Sequence, residues 1–361
     1  MTEVFLPLKR IDHIELYVGN GKQAAHYYQT AFGFVHTAYK GLETESRNLA
    51  SYLLEQGGIR LVLTGSLTQD SPVARFVQLH GESVAVIALE VDDAEQAFIE
   101  TTRRGATGVG QPKTYDNGTY KESAIRLYGD VILKFVERTS VIFAPGFEAV
   151  HTQEQHPKGY GLGAIDHIAG NVEQGAMNSW ASFFADTMGF TNLIQFDGDD
   201  ISTQYSALMS KVMQDTTGKI KFPINEPAEG LKKSQIQEYL DFHCGPGVQH
   251  IACATQNIIQ TVTKLRESGV EFLCVPPSYY TDLKSCSSKI DEPIAVLQEL
   301  GILVDHDEDG YLLQIFTKPV LDRPTLFFEI IERHGSSGFG QGNFKALFQA
   351  MEHEQALRGN L

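Results

Sequence analysis

Two histidines and one carboxylate stand in stretches otherwise built from apolar strand formers: His167 in IDHIAGN, His250 in GVQHIACA and Glu329 in TLFFEII. Two imidazoles and a carboxylate gathered on one face of an octahedral ion leave the other positions open, the donor set of non-haem ferrous oxygenases. No Lys or Arg adjoins Glu329, and a buried, unpaired carboxylate costs roughly several kcal/mol, so a bound cation would account for its presence. Glu332, beside Arg333, is the poorer candidate. Strand alternation groups His167 with Ile165 and Ala169, His250 with Val248 and Ala252, and Glu329 with Phe327 and Ile331.

A lone histidine on an apolar strand is more often a hydrogen-bonded core residue than a ligand. What joins these three is an internal repeat. IDHI occurs at 11–14 and again at 165–168. SVAVIALEVDDAEQAFIETTRRGATGV (83–109) aligns with GVQHIACATQNIIQTVTKLRESGVEFL (247–273), and GDVILKFVER (129–138) with RPTLFFEIIER (323–333). The longer pair reads as strand, polar turn, helix and terminating Gly. The pattern predicts an α+β chain of four βαβββ modules, paired into two open half-barrel domains at 1–150 and 151–361, with a Gly- and Pro-containing linker over 140–164. The repeat sets His13, Val86 and Lys134 against His167, His250 and Glu329. A lysine where a cation would have to sit predicts a first half without metal and His13 as an ordinary core histidine.

With 29 basic and 45 acidic residues and a net charge of −16, the chain repels nucleic-acid backbones and anionic membranes. Apolar runs such as VAVIALEV (84–91) are too short to span a bilayer, and MTEVFLPLKR lacks the order of a secretory signal, so a cytoplasmic protein is expected. The cysteines, Cys244, Cys253, Cys274 and Cys286, form no CxxC pair and are expected as free thiols. Cys244 follows His243, but sequence neighbours seldom reach nucleophile–base geometry.

Several longer motifs extend the pattern: GLETESR (41–47), KFPINEP (221–227), KKSQIQEYL (232–240), GILVDHDEDGYLLQIFTKPVLDRPTLFFEIIERHG (301–335) and GFGQGNFKALFQAMEHEQALRGNL (338–361). Together they closely resemble the 4-hydroxyphenylpyruvate dioxygenase family. The resemblance implies the vicinal-oxygen-chelate fold and an Fe(2+) enzyme that turns 4-hydroxyphenylpyruvate and O2 into homogentisate and CO2 in tyrosine catabolism. It implies His167, His250 and Glu329 as iron ligands, and Ser210, Asn225, Gln235, Gln249 and Gln314 as the polar pocket, with Pro223 shaping the wall. Phe316 and Phe344 would clamp the ring with help from Phe339 and Phe327, beneath a C-terminal helix that covers the site.

Residue patterns add detail to these roles. Alternation in YLLQIF puts Gln314 and Phe316 on one face with Leu312, whereas it points Gln249 away from His250. Asn225, between prolines, signals a loop or edge strand. In the last segment Asn343 can cap a helix whose apolar stripe is Phe344, Leu347, Phe348 and Met351, with Gly359 at its end. The glycines at 338, 340 and 342 suit a hinge, and GFGQGN lacks the last glycine of a dinucleotide loop. Hydroxymandelate synthase, with the same iron and substrate, is the nearest alternative; a binding protein of the same fold without turnover, or a zinc or nickel isomerase, are others. The metal-free first half is the expected contact surface of a homo-oligomer.

Overall fold

The computed structural model describes residues 5–150, 159–196, 207–283 and 290–360. Two sheets carry the chain, each drawn from one half. The first contains β1 (Leu8–Val18), β2 (Val35–Lys40), β3 (Leu49–Gln56), β4 (Ile59–Ser66), β5 (Ser83–Val91), β6 (Lys113–Tyr115), β7 (Tyr120–Arg126), β8 (Ile132–Arg138) and β9 (Glu148–Ala149), ordered β6-β7-β8-β5-β1-β4-β3-β2-β9. The second contains β10 (Leu162–Asn171), β11 (Thr191–Phe196), β12 (Ala207–Gln214), β13 (Lys221–Ala228), β14 (Gly247–Thr255), β15 (Leu303–His306), β16 (Tyr311–Phe316) and β17 (Phe327–His334), ordered β11-β12-β13-β10-β14-β17-β16-β15.

Helices α1 (Gly21–Phe32), α2 (Pro72–His80), α3 (Ala94–Arg103), α4 (Met177–Met188), α5 (Gln235–His243), α6 (Ile258–Glu267), α7 (Pro277–Leu283), α8 (Ile294–Leu300) and α9 (Phe344–Leu357) complete the chain. The strand–helix–three-strand unit recurs four times, opening with β1, β5, β10 and β14 as the repeat predicts. Side chains set where the crossover helices begin: Asn20, Asp93 and Asn257 accept hydrogen bonds from the amides of Gln23, Gln96 and Gln260. One apolar core runs through both halves, and Phe32 of the first packs on Phe328 of the second at 4.9 Å between ring centres. Among the described residues no helix is long and apolar enough to cross a membrane.

The two halves share one irregularity that alternation alone does not reveal. Ile11 pairs with Leu89 and His13 with Ala88, which leaves Asp12 as an extra residue in β1; Ile165 pairs with Cys253 and His167 with Ala252, which leaves Asp166 extra in β10. A second bulge follows on each partner strand, at Ala85 and at Gln249. Two bulged residues face one partner, so alternation restarts there. Ile165 and Val248 consequently pack with the apolar core, and not beside the histidines as strict alternation would have them.

Three further expectations need correcting. The linker is shorter than 140–164, since Glu148–Ala149 pairs with β2 and Leu162–Ala164 already pairs with β14. Asn225 is no loop or edge residue: β13 lies between β12 and β10. Its prolines are tolerated because the ladder to β10 contains only the pairs Gly170–Ile224 and Asn171–Asn225 and so asks for few amide donors. Asn343 makes no capping bond; its side-chain oxygen accepts from the Tyr279 hydroxyl at 2.7 Å. Gly359 ends the helix with a φ of +72°, as read from the sequence.

His13 is the core histidine expected. Its Nδ1 lies 2.7 Å from Asp12, whose fully buried carboxylate also accepts a forked pair from Arg138 at 2.7 and 3.0 Å and one bond from Arg60 at 3.1 Å. Burial opposes the charge on Asp12, but His13 and Arg138 outweigh it and hold the carboxyl far below the usual range. Removing Arg138 leaves the buried anion with only His13 and a single bond from Arg60. Arg138→Met is expected to lower stability by about 3 kcal/mol, read from the midpoint of urea unfolding.

Candidate metal centre

Three neighbouring strands of the second sheet, β10, β14 and β17, present His167, His250 and Glu329 to one concave face. The register brings them level: Ala252 pairs with both His167 and Glu329, and Ala169 pairs with His250. The Glu329 Oε2 lies 3.2 Å from His167 Nε2 and 3.5 Å from His250 Nε2, and the two Nε2 atoms are 3.3 Å apart. His167 and Glu329 are each 3% exposed.

The donor set fits a metal ion. His167 Nδ1 lies 2.8 Å from the Asp166 carboxylate, which can only accept, so Nδ1 carries a proton and Nε2, on the Glu329 side, is the nitrogen left to take a cation. His250 Nδ1 lies 3.1 Å from Gln249 Oε1 and is oriented in the same sense. Two imidazole Nε2 atoms and one carboxylate oxygen thus converge, and among the described residues no Lys or Arg pairs with Glu329. Burial works against ionised Glu329, yet the neighbouring His167 and His250 bring its carboxyl down to about 2. For His167 burial favours the neutral ring but Glu329 and Asp166 prevail and raise its pKa, whereas burial dominates at His250 and lowers it.

Arg333 ties this centre to its cover. It forks onto Asp166 at 2.7 and 2.8 Å, donates to the Gly338 carbonyl at 2.7 Å, and sits 5.5 Å from the Phe339 ring. Phe339 in turn packs on His167 at 5.1 Å. The 338–342 glycines lie close against neighbours, and Gly340, at φ +75°, leaves its Cβ position to the Gln314 amide. Close approach thus explains Gly340 without invoking a hinge.

A cavity of about 80 Å³ opens between the three candidate ligands and α9. Ser210 and Asn225, paired across β12 and β13, line it with Pro223; Gln235 enters from the first turn of α5, and Gln249 stands beside His250. The Asn225 Nδ2 donates to Asn171 at 3.3 Å. Phe316, Phe327, Phe339 and Phe344 form the aromatic walls, and Phe327 stacks on His250 at 4.9 Å. Gln249 reaches the cavity because its bulge turns it to the same side as His250. Gln314 is not among the residues that line the cavity: it is 2% exposed and its amide packs against Gly340.

Sequence reasoning missed Phe196, Leu208 and Val212 as lining residues. Leu208, Ser210 and Val212 occupy alternate positions of one strand, and that spacing was the available signal. Leu347, Phe348 and Met351, the stripe read on α9, also face the cavity. Cys244 and His243 form no pair: the thiol lies 3.8 Å from the Asp241 carbonyl, and the His243 ring is held by the Gly245 carbonyl and stacked between His80 and Tyr239. Cys244, Cys253 and Cys274 are free, and Cys286 lies outside the described residues.

The family model of the glyoxalase/bleomycin resistance protein/dioxygenase superfamily matches residues 10–123 and 164–315. A 4-hydroxyphenylpyruvate dioxygenase of Aspergillus fumigatus is 44% identical over 98% of this chain and 94% of that one, and one of Yarrowia lipolytica is 44% identical over 97% and 93%. The chain belongs to the 4-hydroxyphenylpyruvate dioxygenase family. Among solved structures, a triple mutant of 4-hydroxymandelate synthase from Streptomyces coelicolor superposes with a TM-score of 0.88 at 32% identity, covering 97% of this chain and all of that one. The higher identity to the dioxygenases favours them over the synthase. The curled half-barrels and the C-terminal helix are those that the family resemblance implies.

The orientation of His250 by Gln249 has a measurable consequence. Gln249→Leu keeps the side chain's size but removes the acceptor, and divalent-cation affinity is expected to fall by about tenfold in competition with a chelating dye.

Proposed function

We propose that this chain is a cytoplasmic, ferrous-iron-dependent dioxygenase that converts 4-hydroxyphenylpyruvate and O2 to homogentisate and CO2 in tyrosine catabolism. The observation that carries the reading is the His167–His250–Glu329 group at the floor of an aromatic-walled pocket, in a chain 44% identical to dioxygenases of that name over nearly its whole length. Catalysis belongs to the 151–361 domain, and the 1–150 domain contributes no metal ligand.

His167, His250 and Glu329 would hold the iron, which when bound supplies the redox chemistry of decarboxylation and ring oxidation that no side chain here can perform. The protein's own part is binding and orientation. Phe316 and Phe327 on one side and Phe339 and Phe344 on the other offer faces and edges to a flat phenol ring. Ser210, Asn225, Gln235 and Gln249 supply neutral donors and acceptors for the phenol and carboxylate ends. With Asn225 Nδ2 committed to Asn171, the Asn225 oxygen is left as an acceptor for a phenolic proton. Gln314, behind Gly340, supports the loop that carries Phe339. Leu347, Phe348 and Met351 close the pocket with apolar surface and keep water from the reacting atoms. These roles require no side-chain general base.

The test is aerobic incubation of the iron-loaded protein with 4-hydroxyphenylpyruvate, following O2 uptake and identifying the product by chromatography. Homogentisate is expected; 4-hydroxymandelate would keep the ligand set and overturn the ring placement, and no O2 uptake would overturn the enzyme reading. Deleting residues 340–361 is expected to leave iron binding intact and to reduce kcat/KM by about a hundredfold. Unchanged turnover would contradict the role of α9 as a cover.

A further inference from the structure

The first half-barrel lacks the metal ligands, yet it retains a cavity of about 180 Å³, larger than the 80 Å³ of the candidate active site. It also keeps the same kind of cover. Arg138 donates to the Phe143 carbonyl at 2.6 Å and lies 5.0 Å from the Phe143 ring, and that ring meets His13 edge-on at 5.1 Å. Arg333, Phe339 and His167 are arranged likewise in the second half. A half-barrel without the ligand set thus still has a covered pocket.

Its walls carry charges of both signs. Lys134, at the position equivalent to Glu329, lies 3.2 Å from Glu122, and Glu15, equivalent to Ala169, accepts from Thr64 at 2.6 Å. Burial opposes both charges of the Lys134–Glu122 pair, but each partner outweighs it for the other, so the lysine pKa is raised and the glutamate pKa lowered. Lys40 stands at the rim, 3.3 Å from the Pro145 carbonyl and 5.9 Å from the Phe147 ring. A purely structural replacement of the metal would fill the space with packed side chains. Here two cations, two carboxylates and two phenylalanines surround an opening.

We propose that the first half-barrel is a second small-molecule site that takes an aromatic α-amino acid. The ligand's ammonium matches Glu15 and Glu122, its carboxylate matches Lys40 and Lys134, and its ring fits against Phe143 and Phe147. A simple anion or a simple cation satisfies only half of this wall and meets like charge on the other half. The site is separate from the iron ligands and involves no chemical step.

Calorimetric titration of the iron-loaded protein with L-phenylalanine tests the assignment, with phenylacetate and phenethylamine as probes that each lack one charge. One molecule of L-phenylalanine per chain is expected, with both other probes weaker by about tenfold or more. Lys134→Met and Glu15→Gln should each weaken L-phenylalanine by a similar factor. Lys40→Met, at the half-buried rim, provides the same readout should either interior variant fail to fold. Phe344→Ala, in the other pocket, should leave this binding unchanged. No saturable binding, equal binding of phenylacetate, or binding lost in Phe344→Ala and indifferent to Lys40→Met would each overturn the proposal.

Discussion

The structure turns on a buried aspartate placed one residue out of register beside a histidine. In each half the bulge sets Asp and His side by side, the carboxylate takes the histidine Nδ1, and an arginine from the last strand of the second module, β8 or β17, closes onto the same carboxylate. A buried anion of this kind is stable only if its partners stay in place. The joint therefore fixes three strands, the ring orientation of the histidine and the path of the segment that follows the arginine. In the second half that path leads through Phe339 to α9, so the candidate metal-binding residues and the pocket's cover share one anchor.

What distinguishes the halves is what surrounds the freed Nε2. Next to His167 stand His250 and Glu329, whose lone pairs converge on one point. Around His13 the equivalent positions are Val86, without a donor, and Lys134, already a cation. One scaffold thus carries a candidate metal centre in one half and a pocket with charges of both signs in the other. The duplicated IDHI is explained by the scaffold and not by duplicated chemistry: the aspartate and histidine are needed to hold the strands whether or not an ion is present.

Much of this was legible in the sequence. The repeat marks four modules, two sheets and three candidate ligands, because residue type and module order are carried by composition and spacing. The bulges were not legible: whether Gln249 faces the cavity depends on how β14 pairs with β10, and nothing in GVQHIA marks the extra residue. For the same reason Ile165 and Val248 were assigned to the wrong face. Gln314 follows the alternation correctly, yet its amide packs against Gly340, distant in sequence, and not along the cavity wall. Asn343 has the residue type of a cap, but Tyr279 competes for its oxygen. PINEP reads as an edge, and only the short ladder to β10 reveals how an interior strand accommodates two prolines.

The claim on which the account rests is that the duplicated scaffold holds iron in one half only. Anomalous diffraction at the iron edge from crystals of the Fe(II)-loaded protein tests it most directly. A single peak per chain is expected, within bonding distance of His167 Nε2, His250 Nε2 and Glu329. A peak beside His13 and Lys134, or an iron bound away from Glu329, would contradict it.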